Sequence, residues 1–461
     1  MNSTLFANFD SSTFAQWKAQ AIKDLKGKDF DETLVWQTPE GFDLQPYYTD
    51  EDLQRTDSKE IEAAQMRSNS GWLNLQTIIF ESESLTNSRL IGLLTKGVDG
   101  FILDLRQHDV RSISLPKLLH GIKLSDTPIH FKVNNQSAEL LKGLQLFINY
   151  QMRGGIQDDA HAAWTQTGFS VPNSYKNLKE TIINTKSSPI FRPVTVESHI
   201  YHHAGATAVQ ELACVLASGV AYIDKLTDLG LSVNEVFSKM QFSVSVGTSY
   251  FMEIAKLRAL RYLWKTILQQ YQVPDYQDQI VFITAQTSHF FDATTQPHTN
   301  LLRATTEAMA AVMGNADALA VHGFDADFEP NNLFSERIAR NLSVLMKEES
   351  HLDKINDPAA GSYYIETLTE QLAQNAWKLF LEIEAKGGFV AAFEQNFIQD
   401  FIETAYDAKR AALQSGKTVM VGVNKFQVAD QPKPERVLPQ IKTQTVAFKL
   451  LTAKRITEAV A

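Results

Sequence analysis

The sequence predicts a (β/α)8 barrel of the TIM type with an N-terminal arm and C-terminal helices, and three observations point there. Short β-rich runs alternate with helix-length segments, a pattern that reads as βα units around a parallel sheet. The runs number eight, the count of a closed barrel. The 461 residues exceed one minimal domain, yet a barrel with extensions absorbs that length as a single unit.

Residues 1–55 read as an arm. Ser12 is placed to cap a helix whose Phe14, Trp17, Ala21 and Leu25 share one face, and TPEGFDLQPYYTDEDL then runs extended through two prolines. Such an apolar face lies either on the chain's own barrel or on a partner. The barrel, residues 56–350, takes its strands from QTIIFE at 76, GFILDL at 100, IHFKV at 129, QLFINYQ at 145, RPVTVES at 192, FSVSVG at 242, IVFITAQ at 280 and ALAVHGF at 318. AVQELACVLASGVAYIDKL and FMEIAKLRALRYLWKTILQQY are amphipathic helices between them, and VPNSYKNLKETIINTKSSP is an insertion that can form an extra helix. Residues 351–461 form a helical extension followed by a proline-containing tail from Val421 onward.

Composition narrows the function. With 44% hydrophobic and 21% charged residues the chain is an ordinary soluble globular protein, and a formal charge of −10 repels phosphate backbones and anionic membranes. The single cysteine, Cys214, excludes an internal disulfide and a multi-cysteine metal centre. MNSTLFANFD lacks the basic and apolar regions of a leader, and no run approaches a membrane span, so the expected location is cytoplasmic.

Barrel chemistry is built at the C-terminal ends of the strands. Those ends carry Glu81, Asp104, Asn134, Arg153, His199, Thr248, Gln286, Ser288, His322 and Asp325, a polar rim without a repeated acid/base theme, and no lysine stands out there for Schiff-base chemistry. His199, His202 and His203 are three imidazoles that could hold Zn²⁺ or Fe²⁺. On an extended loop they need not converge, and no carboxylate sits at metal-motif spacing, so no metal is expected. Asp158, Asp159 and His161 suit either an acid/base pair or a helix N-terminus. Gly154-Gly155 reads as a tight turn after the fourth strand or as a point of close ligand approach. Neither G-x-G-x-x-G after a strand, nor a P-loop, nor G-x-S-x-G is present.

Longer strings carry more. TPEGFDLQPYYT, AGATAVQELACVLASGVAY, SYFMEIAKLRALRYLW, AQTSHFFDATTQPHTNLLRATTEAMAAVMG, ERIARN and DPAAGSYYIETLTEQLAQNAW occur in that order. Together they resemble the barrel of the methylmalonyl-CoA mutase family across nearly the whole chain. The resemblance implies a fold that interconverts methylmalonyl-CoA and succinyl-CoA by adenosylcobalamin radical chemistry, with the protein positioning the reactants and excluding water.

The same comparison implies that this chain has lost that chemistry. The family's cobalamin domain carries D-x-H-x-x-G, and the nearest string here, DDAHAAW, has Trp164 where glycine is needed. Where catalytic members read Y-H-x-Q-E-A-G-A, HIYHHAGA sets His199 and Ile200 against the Tyr-His pair, with His202 or His203 as conceivable shifted substitutes. Gly247 stands at the histidine of the family's H-N-x-F-F-E-E stretch, and the segments Y-I-x-P-P-E-P-S-M-R and R-Q-Y-A-G-F-S have no counterpart. Gln286, Ser288 and Asn300 keep the substrate-side pattern. The resemblance therefore implies a small, non-catalytic subunit of a heterodimer, without catalytic or cofactor-binding residues, whose large subunit holds adenosylcobalamin. It also implies self-association when isolated. The competing reading is an active acyl-CoA mutase barrel served by a separately encoded cobalamin-binding chain.

Overall fold

The computed structural model describes residues 13–54, 56–169, 172–273, 280–329, 332–428, 434–436 and 441–459. The MNSTLFANFD segment and Ser12 lie outside them.

Eight parallel strands form the barrel: β1 (Leu73–Ile79), β2 (Gly100–Asp104), β3 (Ile129–Lys132), β4 (Gly154–Gln157), β5 (Val194–Glu197), β6 (Met240–Val246), β7 (Phe282–Thr287) and β8 (Ala318–Ala320). Neighbours pair in sequence order except β4 and β5, and β8 returns to β1 with Ala318 opposite Leu73. Between β4 and β5 the chain divides its pairing. Phe191–Arg192 pairs with β4, Pro193 intervenes without an N–H, and Val194 onward pairs with β6. Side chains stitch this point: Thr195 Oγ1 donates to the Ile156 carbonyl at 2.7 Å, and Gln241 Nε2 donates to the Arg192 carbonyl at 3.1 Å.

Seven of the eight sequence runs overlap these strands; the fourth does not. QLFINYQ begins at the end of the Ser137–Gln145 helix and continues as a turn, and β4 is the GGIQ that follows it. Glycine is required there by close backbone approach. A Cβ on Gly154, whose φ is +100°, would lie 2.2 Å from the Ile129 carbonyl oxygen, and one on Gly155 would lie 2.2 Å from that of Arg192. The glycine pair is therefore strand and not turn.

Two 21-residue helices follow β5 and β6. Ala208–Asp228 starts from a capping box in which Thr207 and Gln210 satisfy each other's backbone N–H groups, and Tyr250–Gln270 packs beside it. The helix Tyr363–Ala385 covers both. Fully buried Arg258 locks this layer, with both Asp357 carboxylate oxygens at 2.8 and 2.9 Å and Glu366 at 2.8 and 3.0 Å. The insertion forms the helix Pro172–Asn184.

The N-terminal helix Phe14–Asp24 is capped by Thr13. It buries no residue, and Trp17 stacks on Tyr47 at 4.9 Å, so the arm folds partly on itself. The stretch expected to be extended is broken by a two-residue strand pair, Trp36–Gln37 with Asp43–Leu44, around Gly41. From this turn Glu40 reaches the Ala208–Asp228 helix, where it accepts the Val209 N–H at 2.9 Å. Among the described residues no helix is long and apolar enough to cross a membrane.

Candidate functional site at the barrel mouth

The C-terminal ends of β5 to β8 bring His199, Gln286 and Ser288 into two hydrogen-bonded groups, joined through Ser198, whose Oγ donates to Glu211 Oε1 at 3.2 Å and accepts the Ser245 N–H at 3.0 Å. His199 opens a short helix, His199–Ala204, which replaces the extended loop expected there. Its Nδ1 lies 2.7 Å from Ser245 Oγ and its Nε2 lies 2.9 Å from Ser243 Oγ, both on β6. Gln286 at the end of β7 donates from Nε2 to Ser243 Oγ at 2.9 Å and to His199 Nε2 at 3.1 Å. Burial pushes the His199 imidazole down to about 3, so it stands neutral.

The second group is Ser288, His202 and Glu211. Ser288 Oγ lies 2.7 Å from His202 Nε2, and His202 Nδ1 lies 2.8 Å from Glu211 Oε2. The order resembles a hydrolase triad, but Ser288 is fully buried and its Oγ also accepts the Phe290 N–H. Lys256 donates to Glu211 at 2.7 Å and lies 2.6 Å from Glu253. Burial acts to raise the Glu211 carboxyl, but Lys256 and His202 overcome it and hold it well below the usual range. The arrangement clamps the β5 and β7 loops together. His202 has both ring nitrogens engaged within the chain.

The other predicted positions serve the scaffold. Asn300, 1% exposed, donates to the Ala293 and Phe324 carbonyls at 2.9 and 3.0 Å and accepts the Ala293 N–H, closing the loop after β7. Ile200 is buried in the main apolar core. A Cβ built at Gly247 would meet Phe291 Cε2 at 2.8 Å, and Glu253 Oε1 and His202 Cε1 at 3.2 Å. The space of a side chain at this position is taken by the chain's own groups.

Asp159 is the N-cap of the Ala160–Thr167 helix and accepts the His161 and Ala162 N–H groups. His161 is fully buried, with Nδ1 2.8 Å from Ser218 Oγ and Nε2 2.7 Å from Tyr175 OH. Asp158 accepts the N–H groups of Asn135 and Ser137. These residues do not form an exposed acid/base pair.

Two features escaped the sequence reading. Lys132 does stand at a strand end, on β3, with its ammonium 3.9 Å from the Glu197 carboxylate of β5. Burial lowers its pKa while Glu197 opposes that shift. Its neighbour on the same face, His130, is fully buried and stacks on Phe282 at 5.8 Å, with the Arg192 guanidinium 4.6 Å over the other ring. The alternation in IHFK is the signal that places His130 and Lys132 on one face. The second feature is a convergent set, His289, Asp292 and His322, from the loops after β7 and β8. The three imidazoles of the His199–Ala204 helix do not form such a set.

A separate cleft of about 390 Å³ lies over the ends of β2 and β3, lined by residues that include Arg106, His108, Arg111 and Gln136. Arg106 and Arg111 are each paired within the chain, to Asp104 and Asp109 at 2.6 and 3.0 Å.

Comparison with known proteins agrees with the strings that run through this fold. Residues 110–460 match the family model described as methylmalonyl-CoA mutase. The chain is 35% identical to a protein of Porphyromonas gingivalis (strain ATCC BAA-308 / W83) named methylmalonyl-CoA mutase small subunit, over 92% of this chain and 71% of that one. It is 31% identical to the methylmalonyl-CoA mutase small subunit of Streptomyces virginiae, over 94% of this chain and 73% of that one. To the methylmalonyl-CoA mutase large subunit of the same organism it is 28% identical, over 91% of this chain and 62% of that one. The extent of the family match and the identity to the named small subunits establish that the chain belongs to the methylmalonyl-CoA mutase family.

Proposed function

We propose that this chain is the small, non-catalytic subunit of a two-chain, adenosylcobalamin-dependent methylmalonyl-CoA mutase, in which a large subunit converts methylmalonyl-CoA to succinyl-CoA. The observation that carries this reading is the filled position at Gly247, where Phe291 and His202 stand against the backbone and leave no room for a catalytic imidazole. Ile200 points the same way, buried among apolar side chains where a hydrogen-bond donor to the thioester would be needed. Gln286, Ser288 and Asn300 persist in this reading because they hold the strand-end loops together. His130 and Gln241, on β3 and β6, are buried as well, and His130 stacks on Phe282 at 5.8 Å.

The family is cobalamin-linked, but the residues here do not fit the cofactor. The only D-x-H string that could supply a cobalt ligand centres on His161, whose two ring nitrogens are both engaged inside the core. The large subunit is accordingly the proposed holder of adenosylcobalamin. That relatives are named small and large subunits supports the heterodimer. Residues 1–55 are the proposed partner-wrapping arm, for which the unburied helix Phe14–Asp24 and the half-exposed Trp36 and Tyr47 provide the apolar surface. Residues 56–350 are the proposed barrel and 351–461 the proposed extension, and a cytoplasmic location is proposed for the complex. The same exposed surface is the proposed route to self-association of the isolated chain.

The test is turnover of methylmalonyl-CoA with added adenosylcobalamin, for the chain alone and after mixing with the large subunit of the same source. Turnover only by a stable one-to-one complex is expected. Turnover by this chain alone, or with only an isolated cobalamin-binding domain, overturns the reading in favour of an active barrel served by a separate cobalamin chain.

A further inference from the structure

We propose that His289, Asp292 and His322 bind a divalent transition-metal ion of the zinc class at the barrel mouth. Their ligand atoms all lie within 4.8 Å of one another. Asp292 Oδ2 is the shared vertex, 2.9 Å from His322 Nε2 and 3.2 Å from His289 Nδ1. Ligands bound tetrahedrally at about 2.0–2.1 Å are separated by about 3.3 Å, close to both carboxylate-to-imidazole distances. The His289 and His322 rings lie 3.7 Å apart centre to centre, so ion binding requires the more exposed His289 ring to swing away from His322. Two imidazoles and one carboxylate suit zinc and its neighbours in the first transition row and leave a position for water.

The surroundings orient these groups. His322 Nδ1 lies 2.6 Å from Thr287 Oγ1 and 3.1 Å from the Thr287 carbonyl, an outer contact that fixes the ring and turns Nε2 toward the site. The Asp292 carbonyl is held by Thr457 Oγ1 at 2.7 Å. Asp327, 3.2 Å from His289 Nδ1, is neutralised by Arg455 at 2.6 and 2.8 Å, which leaves Asp292 as the anionic ligand. His203, whose Nε2 is buried without a partner among the described residues, has its ring 6.2 Å from that of His289. The donors come from the loops after β7 and β8, and the segment Lys454–Thr457 lies across them through the His203 and Phe290 carbonyls. An ion here joins three parts of the chain that meet at the mouth.

The test uses the full chain without a histidine tag, titrated with Zn²⁺ by calorimetry and with Co²⁺ by absorption. A single equivalent of Zn²⁺ is expected, and the Co²⁺ form is expected to show the intense d–d bands of a four- or five-coordinate site. His289→Ala, at the most exposed ligand, and Asp292→Asn should each weaken binding by about tenfold or more, since removing a ligand costs at least as much as removing an outer-shell partner. His120→Ala, at an exposed histidine elsewhere, should leave it unchanged. The far-ultraviolet spectrum of each variant checks folding, and the Co²⁺ spectrum of the unsubstituted chain reads the site without any substitution. Absence of binding to the unsubstituted chain overturns the proposal, as does binding that survives both substitutions or disappears instead with His199→Ala.

Discussion

The ring of Phe291 occupies the space that a side chain at Gly247 would need, with Cε2 2.8 Å from the position of a Cβ. Phe291 comes from the loop after β7 and Gly247 from the end of β6, so the two strand ends interlock at the mouth. Gly247→Ala is expected to destabilise the chain by about 1–3 kcal/mol, the usual cost of overpacking. Denaturant unfolding measures it, and an unchanged midpoint would mean that Phe291 moves aside freely.

Histidines introduced at positions 200 and 247 are not expected to give turnover. In Ile200→His the new ring enters an apolar core, and in Gly247→His it collides with Phe291. The double variant is expected to be less stable and still unable to turn over methylmalonyl-CoA with adenosylcobalamin. A measurable rate would show that Phe291 and the core around Ile200 give way to the new rings, against the filled positions inferred here.

Arg258 is fully buried between Asp357 and Glu366. Breaking such a pair leaves an uncompensated charge, so Arg258→Met is expected to cost about 3–5 kcal/mol. Replacing all three members by apolar groups of similar volume should recover much of that loss, because the desolvation of the charges disappears together with their attraction. Thermal unfolding of the single and triple variants separates the two effects.

Acid should weaken the fold through its buried histidines, an effect opposed by Asp158 and Asp159, whose carboxyls burial raises to about 6 and 7 and which the folded chain therefore protonates more readily than the unfolded one. Burial pushes His130 and His161 down to about 3 in the folded chain, whereas an unfolded histidine titrates near 6.5. Below about pH 6.5 the unfolded chain takes up protons that the folded chain refuses. The stability these rings contribute is therefore complete above pH 6.5 and is lost progressively down to about pH 3. Each contributes a slope of about 1.4 kcal/mol per pH unit in that window. Stability measured from pH 7.5 to 5 should fall less steeply for His130→Phe than for the unsubstituted chain.

Asn300→Ala removes the donors to the Ala293 and Phe324 carbonyls and should cost about 1–3 kcal/mol. Amide exchange in residues 288–297 should accelerate more than exchange in β3, whose hydrogen bonds do not depend on this loop. Uniform acceleration across the barrel would count against the loop-closing role.

The barrel was legible because most of its strands follow ordinary β chemistry, with Val, Ile, Phe and Thr in runs bounded by turns. β4 was not, because close backbone contact with Ile129 and Arg192 requires glycine, and glycine carries no β signal. QLFINYQ, with its aromatic and β-branched residues, was the better local match, but the chain spends it on a helix end and a turn. The site was legible only in part. The pairing of His199 with Gln286 across β5 and β7, and of His202 with Glu211 and Ser288, depends on strand order around a closed cylinder. The convergence of His289 and Asp292 with His322 needs β7 and β8 to be neighbours and their loops to fold inward. Spacing along the chain cannot report either.

Pro193 divides the chain between two neighbours, so the cylinder has one place where backbone pairing passes from β4 to β6 through two different stretches of the same segment. A sheet closed everywhere by backbone amides resists shear along its whole circumference. This one is laced at a single seam by Thr195 and Gln241, whose contacts are chosen by sequence and not by the geometry of the strand. The cylinder is in effect two arcs meeting at a side-chain joint between Ile156 and Thr195.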